Sequence, residues 1–268
     1  MKGSKATRAL IESSMMVALA TVLSILKIIE MPYGGSVTVA SMLPIVVLAY
    51  RHGAGVGLGA GLVYAALQQL LGLKTLSYFT TPASVIAIIL LDYIIAFTLV
   101  GLGGVFRKCA KRQSTALALG AALVSVLRYI CHTVSGATVW AGLSIPTEAA
   151  LVYSIGYNAT YMLPEAIILV ATAFYLGTAI DFSRRIPERA VAPEESGASP
   201  LRAVAPTALL LGLVADVVLI APHLQDAESG MFVLSGLSNV SWLSVGIISA
   251  VAAATAIIFF LLSKKEQA

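Results

Sequence analysis

The sequence predicts an all-α fold, a polytopic bundle of membrane-spanning helices. Three observations carry that prediction. Hydrophobic residues make up 59% of the 268 positions and charged residues only 11%, where soluble domains average about 25% charged. Apolar runs long enough to cross a bilayer recur along the chain, and Lys and Arg gather in the loops between alternate pairs of runs. Such a composition excludes an intrinsically disordered chain, a nucleic-acid module and a disulfide scaffold. A net charge of +4 is modest, and no nucleic-acid partner is expected. The expected surroundings are a lipid bilayer.

A spanning helix needs about 20 mostly apolar residues. Eight segments qualify: 9–29, 37–50, 54–72, 83–104, 115–138, 154–180, 205–222 and 243–263. The first follows Lys2, Lys5 and Arg8, as a signal peptide would. It is too long for one, carries Glu12 and lacks a clear small-residue cleavage site, so it reads as a retained helix. The second is short and holds Pro44, which predicts a tilted, kinked or protein-wrapped segment. With a cytoplasmic N-terminus, 14 of the 17 Lys and Arg fall on inner segments, while Lys27 and Lys74 sit at outer ends and Arg128 lies within a helix. That asymmetry predicts a multi-pass cell-membrane protein with both termini in the cytoplasm.

Residues 182–204 are rich in Arg, Glu, Pro, Ser and Gly and read as a cytoplasmic linker. The expected organisation is a six-helix unit at 1–181, that linker, and a two-helix appendix at 205–268.

Cys131 lies in an apolar run and Cys109 in a basic loop, so no disulfide is expected. No Cys/His cluster has metal-ligand spacing and no Walker A pattern occurs; no cofactor is expected. Gly53, Gly57 and Gly61 are four apart. With no strand before them they predict close helix packing rather than a phosphate loop. Ser14 and Ala18, with Ala20 and Ser24, give the first helix a small-residue stripe, equally suited to internal packing and to docking a partner subunit.

Ionisable residues at membrane depth are expensive. Arg128 and Glu165 are read as a structural ion pair, which leaves Asp92 in need of a cation from His132 or a ligand. Tyr33, Tyr78, Tyr93, Trp140, Tyr153, Tyr157, Asn158 and Tyr161 gather toward the same end as Asp92 and His132. An aromatic belt at the lipid headgroups explains the rings but not the amide. The alternative is an outward-facing site for a small aromatic or cationic solute. Catalysis is the rival class: Ser135 and His132 stand three apart, but no nucleophile elbow surrounds Ser135. Ser135-Gly136 is expected to end a helix instead.

The segments MMVALATVLS (15–24), MPYGGSVTVASMLPIVVLAYRHG (31–53), LLDYIIAF (90–97), RYICHTVSGATVW (128–140) and YSIGYNATYMLPE (153–165) resemble the thiamine-specific S component of energy-coupling factor (ECF) vitamin transporters. The resemblance covers residues 8–181. It implies a six-helix S-component-like core, here followed by two extra C-terminal transmembrane helices, that binds thiamine and is not an enzyme. It implies partners too: a transmembrane coupling subunit and two cytoplasmic ATPases, with Ser14 and Ala18 on the docking face. Residues Pro32 to Gly35 match a lid. By position, Asp92 would hydrogen-bond the aminopyrimidine, with Tyr93 a polar wall beside it. His132 would line the site and Trp140 would stack on a ring. Tyr153 and Asn158 would complete the wall, and Tyr33 stands where some members carry tryptophan. Family members commonly have glutamate at the position of Asp92. Another small aromatic vitamin or a thiamine precursor is the alternative ligand, and a membrane-embedded enzyme or sensor is the alternative class.

Overall fold

The computed structural model describes residues 2–31, 33–108, 110, 112–143, 145–190, 201–220, 223 and 235–265. Pro32 of the expected lid, Cys109, and 191–200 of the expected linker lie outside these residues. The chain forms two compact units, 1–173 and 174–268, which are taken separately.

The first unit opens with helix α1, Lys2–Ile25. Its hydroxyls bond back along the helix, Ser13 Oγ to Ala9 O at 2.7 Å and Thr21 Oγ1 to Val17 O at 2.9 Å. Such bonds satisfy polar groups that lipid cannot serve. Leu10, Ile11, Met15, Leu19, Val22 and Ile25 are exposed on its surface. The small-residue stripe divides: Ala20 and Ser24 are buried, whereas Ser14 and Ala18 face outward. The helix stops at Ile25, short of the expected 29. Residues Lys27–Glu30 form strand β1, paired antiparallel with β2, Ser36–Thr38. Gly34 and Gly35 turn this hairpin with φ of 100° and 94°. Gly35 is also held by space, since a Cβ there would lie 2.9 Å from the Tyr161 ring.

Helix α2 is only Leu43–His52, and every residue from Leu43 to Ala49 is buried. The expected second span therefore begins as strand and turn, and its helix is wrapped in protein. Pro44 sits in the first turn, where its missing N–H is harmless. Helix α3, Ala54–Leu71, follows after Gly53. Glu12 ties α1 to α2 through Arg51 (Nε–Oε2 2.7 Å, Nη2–Oε1 2.9 Å) and His52 (Nε2–Oε2 2.7 Å).

Helix α4 spans Pro82–Lys108 with three geometries in series. It is α-helical from Pro82, capped by Thr81 accepting from the Ser84 N–H, π-helical over Ile89–Ile95, and 3₁₀-helical over Leu99–Lys108. Backbone contact explains the expected glycine packing. A Cβ on Gly57 would sit 2.3 Å from Gly101 O, and one on Gly61 2.7 Å from Thr98 O. Only glycine lets α3 and α4 approach this closely.

Helix α5 runs Gln113–Thr138, so Ser135 and Gly136 continue the helix rather than end it. Gly136 permits α5 to meet α6, Ala150–Ala179, at Ser154. Cys131 is a free thiol.

In the second unit, strands β3, Ile180–Asp181, and β4, Glu188–Arg189, make a short hairpin. The Ser183 hydroxyl and N–H, with Arg184, hold the exposed Asp181 carboxyl below the usual carboxylate range. Helices α7, Leu201–Ile220, and α8, Trp242–Lys265, pack on each other. Asp216 of α7 accepts a hydrogen bond from Ser249 of α8. Residues 221–222 of the expected seventh span lie outside the described residues.

Six described helices are long and apolar enough to cross a membrane: Lys5–Ile25, Ala54–Leu71, Pro82–Lys108, Gln113–Thr138, Ala150–Ala179 and Trp242–Leu262. The molecule is a predominantly helical multi-pass membrane protein with little sheet.

Candidate functional site

Helices α3 to α6 and the β1–β2 hairpin enclose a cavity of about 520 Å³ within the first unit. Its layers follow from helical spacing. Arg128, His132 and Gly136 climb α5 by about 6 Å per four-residue step. On α6 the stripe facing the cavity is Asn158, Tyr161 and Glu165, with Tyr157 at its edge.

The upper layer is aromatic. Trp140 is packed edge-on by Phe79 at 4.8 Å between ring centroids, with Tyr33 at 6.4 Å and Tyr78 at 6.0 Å. Lys27 and Glu30 pair at 2.6 Å beside them. These two line the cavity, as does Lys74, so the lysines read as outer helix ends also face the site.

The middle layer is centred on Asp92, which is only 8% exposed. The π-helical stretch of α4 positions it there; such insertions re-aim side chains and cluster at functional sites. Asp92 Oδ1 meets His132 Nδ1 at 3.1 Å and Oδ2 accepts the Trp140 indole N–H at 3.0 Å. The expected need of Asp92 for a partner is thus met by His132 and, unforeseen, by Trp140. Asn158 Nδ2 donates to Ser154 O at 2.9 Å and to His132 O at 3.2 Å, while Tyr161 donates to Asn158 Oδ1 at 2.6 Å. Those bonds fix the amide as part of the wall. Tyr93 donates to Thr75 Oγ1 at 3.2 Å, and Tyr157 to Gly34 O of the hairpin at 3.3 Å.

The lower layer contains the expected ion pair, Arg128 Nη1 to Glu165 Oε2 at 3.2 Å. Thr38 of β2 donates to Glu165 Oε1 at 2.8 Å. The Arg128 guanidinium lies 4.5 Å from the Phe97 ring centre, and Tyr64 stands edge-on to Phe97 at 5.4 Å. Both members of the pair line the cavity, so its place is broader than bundle-locking alone.

Of the residues singled out in the sequence, Asp92, Tyr93, His132, Trp140, Asn158 and Tyr33 come together on one cavity. Tyr153 does not. It is 47% exposed and lies about 140° round α6 from Asn158, past the edge that Tyr157 marks. The rival Ser135–His132 pair is not formed: the Ser135 hydroxyl has no hydrogen-bond partner among the described residues. Sequence reasoning missed Tyr64, Gln68, Ser24 and Phe97, which also line the cavity. A usable signal was present for two of them, since Tyr64 and Gln68 are one turn apart on one face of an otherwise apolar, glycine-rich helix. Among the described residues no three His, Cys, Asp or Glu side chains form a metal-holding group.

Residues 10–182 match the family model described as thiamine transporter protein (Thia_YuaJ). The chain belongs to this family. Members compared with it include the thiamine transporter ThiT of Bacillus subtilis (strain 168), 35% identical over 179 residues that cover 63% of this chain and 89% of that protein. A solved structure of ThiT from Listeria monocytogenes superposes with a TM-score of 0.53 at 26% identity, covering 65% of this chain and 94% of that one. All the cavity residues fall within the family match, and the appendix of the second unit lies beyond it.

Proposed function

We propose that this protein is the membrane-embedded thiamine-binding subunit of an ECF-type vitamin uptake transporter. Family membership supplies the class. The observation that carries the ligand is the middle layer: one buried carboxylate set below a cluster of four rings. Thiamine joins two flat rings through a methylene, and its thiazolium ring carries a permanent charge. Ring faces attract such a cation, and Asp92 offers charge-assisted acceptance to the aminopyrimidine amine. Trp140 is held by its bond to Asp92, so ring and acid act as one preorganised element. Tyr93, Tyr33, His132 and Asn158 form the rest of the wall.

In this reading the hairpin is the lid, with Tyr157 and Thr38 holding it down. Both termini are cytoplasmic, which sets the aromatic layer toward the outer face. Ser14 and Ala18, outward on α1, support docking on the coupling subunit that two ATPases drive. The second unit is an addition to the six-helix binding unit.

The test is a titration of thiamine into the full chain in detergent, read by tryptophan fluorescence. Binding should quench emission, and Trp140→Phe should remove the quench although Trp242 remains. A flat titration with thiamine but a response to another vitamin or a thiamine precursor would reassign the ligand; no response to any would remove the assignment.

A further inference from the structure

The end of the first unit away from the aromatic layer gathers the start of α1, the ends of α2 and α4, and the start of α5. Residues 1–12, 51–52 and 107–112 there hold eight Lys and Arg but one carboxylate, Glu12. Glu12 is already engaged, since Arg51 approaches both its oxygens and His52 one of them. Arg8 stands one turn away on α1. Its Nε lies 3.6 Å from Glu12 Oε1, outside hydrogen-bond reach, and has no hydrogen-bond partner among the described residues. Arg107, at the end of α4, lies over the junction of α2 and α3. Its Nη1 donates to Tyr50 O at 3.4 Å and stands 3.5 Å from where a Cβ on Gly53 would be. Arg107 and Lys108 are both exposed. A single carboxylate cannot neutralise Arg8, Arg51 and Arg107 together, so this rim keeps an excess of positive charge.

We propose that the rim formed by Arg8, Arg107 and Lys108 binds the headgroups of anionic phospholipids. A guanidinium matches a phosphate group with paired donors, and basic residues at helix ends attract an anionic leaflet. The apolar neighbours favour a lipid over a soluble phosphate. Leu10 and Ile11 follow Arg8 on α1 and Val105 precedes Arg107 on α4, all three exposed. A soluble anion would use only the cations, whereas a phospholipid also lays its acyl chains on those side chains. None of the three basic residues lines the cavity, so the proposal does not depend on the vitamin assignment.

The test is native mass spectrometry of the full chain in detergent, titrated with phosphatidylglycerol or with phosphatidylcholine of the same acyl chains. Wild type should retain phosphatidylglycerol in preference, and soluble glycerol phosphate should compete only weakly. Arg8→Gln with Arg107→Gln should weaken phosphatidylglycerol binding about fivefold per arginine, the scale of one basic residue beside an anionic lipid surface. Phosphatidylcholine binding and the thiamine titration should not change. Arg8→Lys with Arg107→Lys keeps the charge and should keep the preference. Lys264→Gln with Lys265→Gln removes equal charge from the end of α8 and should change nothing. Wild type without a lipid preference overturns the proposal before any variant is made. An undiminished preference in the Gln pair overturns it, as does an equal loss in the Lys264 and Lys265 pair, which would mean net charge alone. Full competition by glycerol phosphate would make the rim a soluble-anion site and overturn it too.

Discussion

Asp92 joins three functions in one side chain. It anchors His132, it holds the Trp140 indole, and it puts negative charge under a roof of rings. Asp92→Asn keeps the shape but removes the charge. Thiamine affinity should fall by roughly 1.5–3 kcal/mol, the range for hydrogen bonds to charged groups; calorimetry giving wild-type affinity would place the carboxylate outside the ligand contacts. Trp140→Ala removes both a ring face and a donor to Asp92. Binding should weaken by roughly 1–3 kcal/mol, the scale of one stacked ring, and a smaller loss would show that the aromatic layer is only a lid seat. Most of this cluster was legible in the sequence, because charges and amides inside apolar runs are conspicuous. The mutual bond of Asp92 and Trp140 was not. It depends on α5 ending at Thr138 and folding Trp140 back over the cavity, which residue spacing does not encode. Tyr153 stands outside the cavity lining for a related reason: with the first turn of α6 placed at Ala150, it falls past the cavity-facing stripe.

At the level of elements, two contacts decide how the walls are held. The first is the glycine seam between α3 and α4. Gly57→Ala would drive a methyl into Gly101 O, and overpacking of this kind costs about 1–3 kcal/mol. Gly59 faces open space, and Gly59→Ala should be neutral or stabilising by up to about 1 kcal/mol through helix propensity. Thermal unfolding in detergent should separate the pair; equal behaviour would mean that the seam is not close-packed. The second contact is the Glu12 clasp. Arg51 is 4% exposed at its side chain and Glu12 18%, so Glu12→Ala removes a two-point carboxylate contact from a buried cation. A loss of roughly 2–4 kcal/mol is expected, slightly under the range for a fully buried pair. A melting temperature equal to wild type would show α1 to be held by apolar contact alone. Element identity was readable from apolar run length. The hairpin after α1 and the π-helical stretch of α4 were not. Lys27–Glu30 and Ser36–Thr38 are apolar enough to extend a helical run, and what turns them into strands is Gly34-Gly35 closing against Tyr161.

For the whole molecule, the fold places every cavity-lining residue between Ser24 and Glu165, inside the first unit and inside the family match of residues 10–182. A chain ending after residue 182 should therefore bind thiamine with unchanged affinity, measured by the same calorimetry; a large loss would give the second unit a part in the site. The sequence reading separated these regions through the composition of 182–204, whereas the compact units divide at Ala173, inside α6. Composition marks where a chain becomes polar and does not see where packing thins along a continuous helix. The central claim is that the cavity between Trp140 and Glu165 is the vitamin site. Its most direct test is an experimental structure of the full chain with thiamine. The account predicts density for both rings within that cavity, with the aminopyrimidine in hydrogen-bond reach of Asp92. Thiamine bound on another surface, with this cavity holding only solvent, would contradict it.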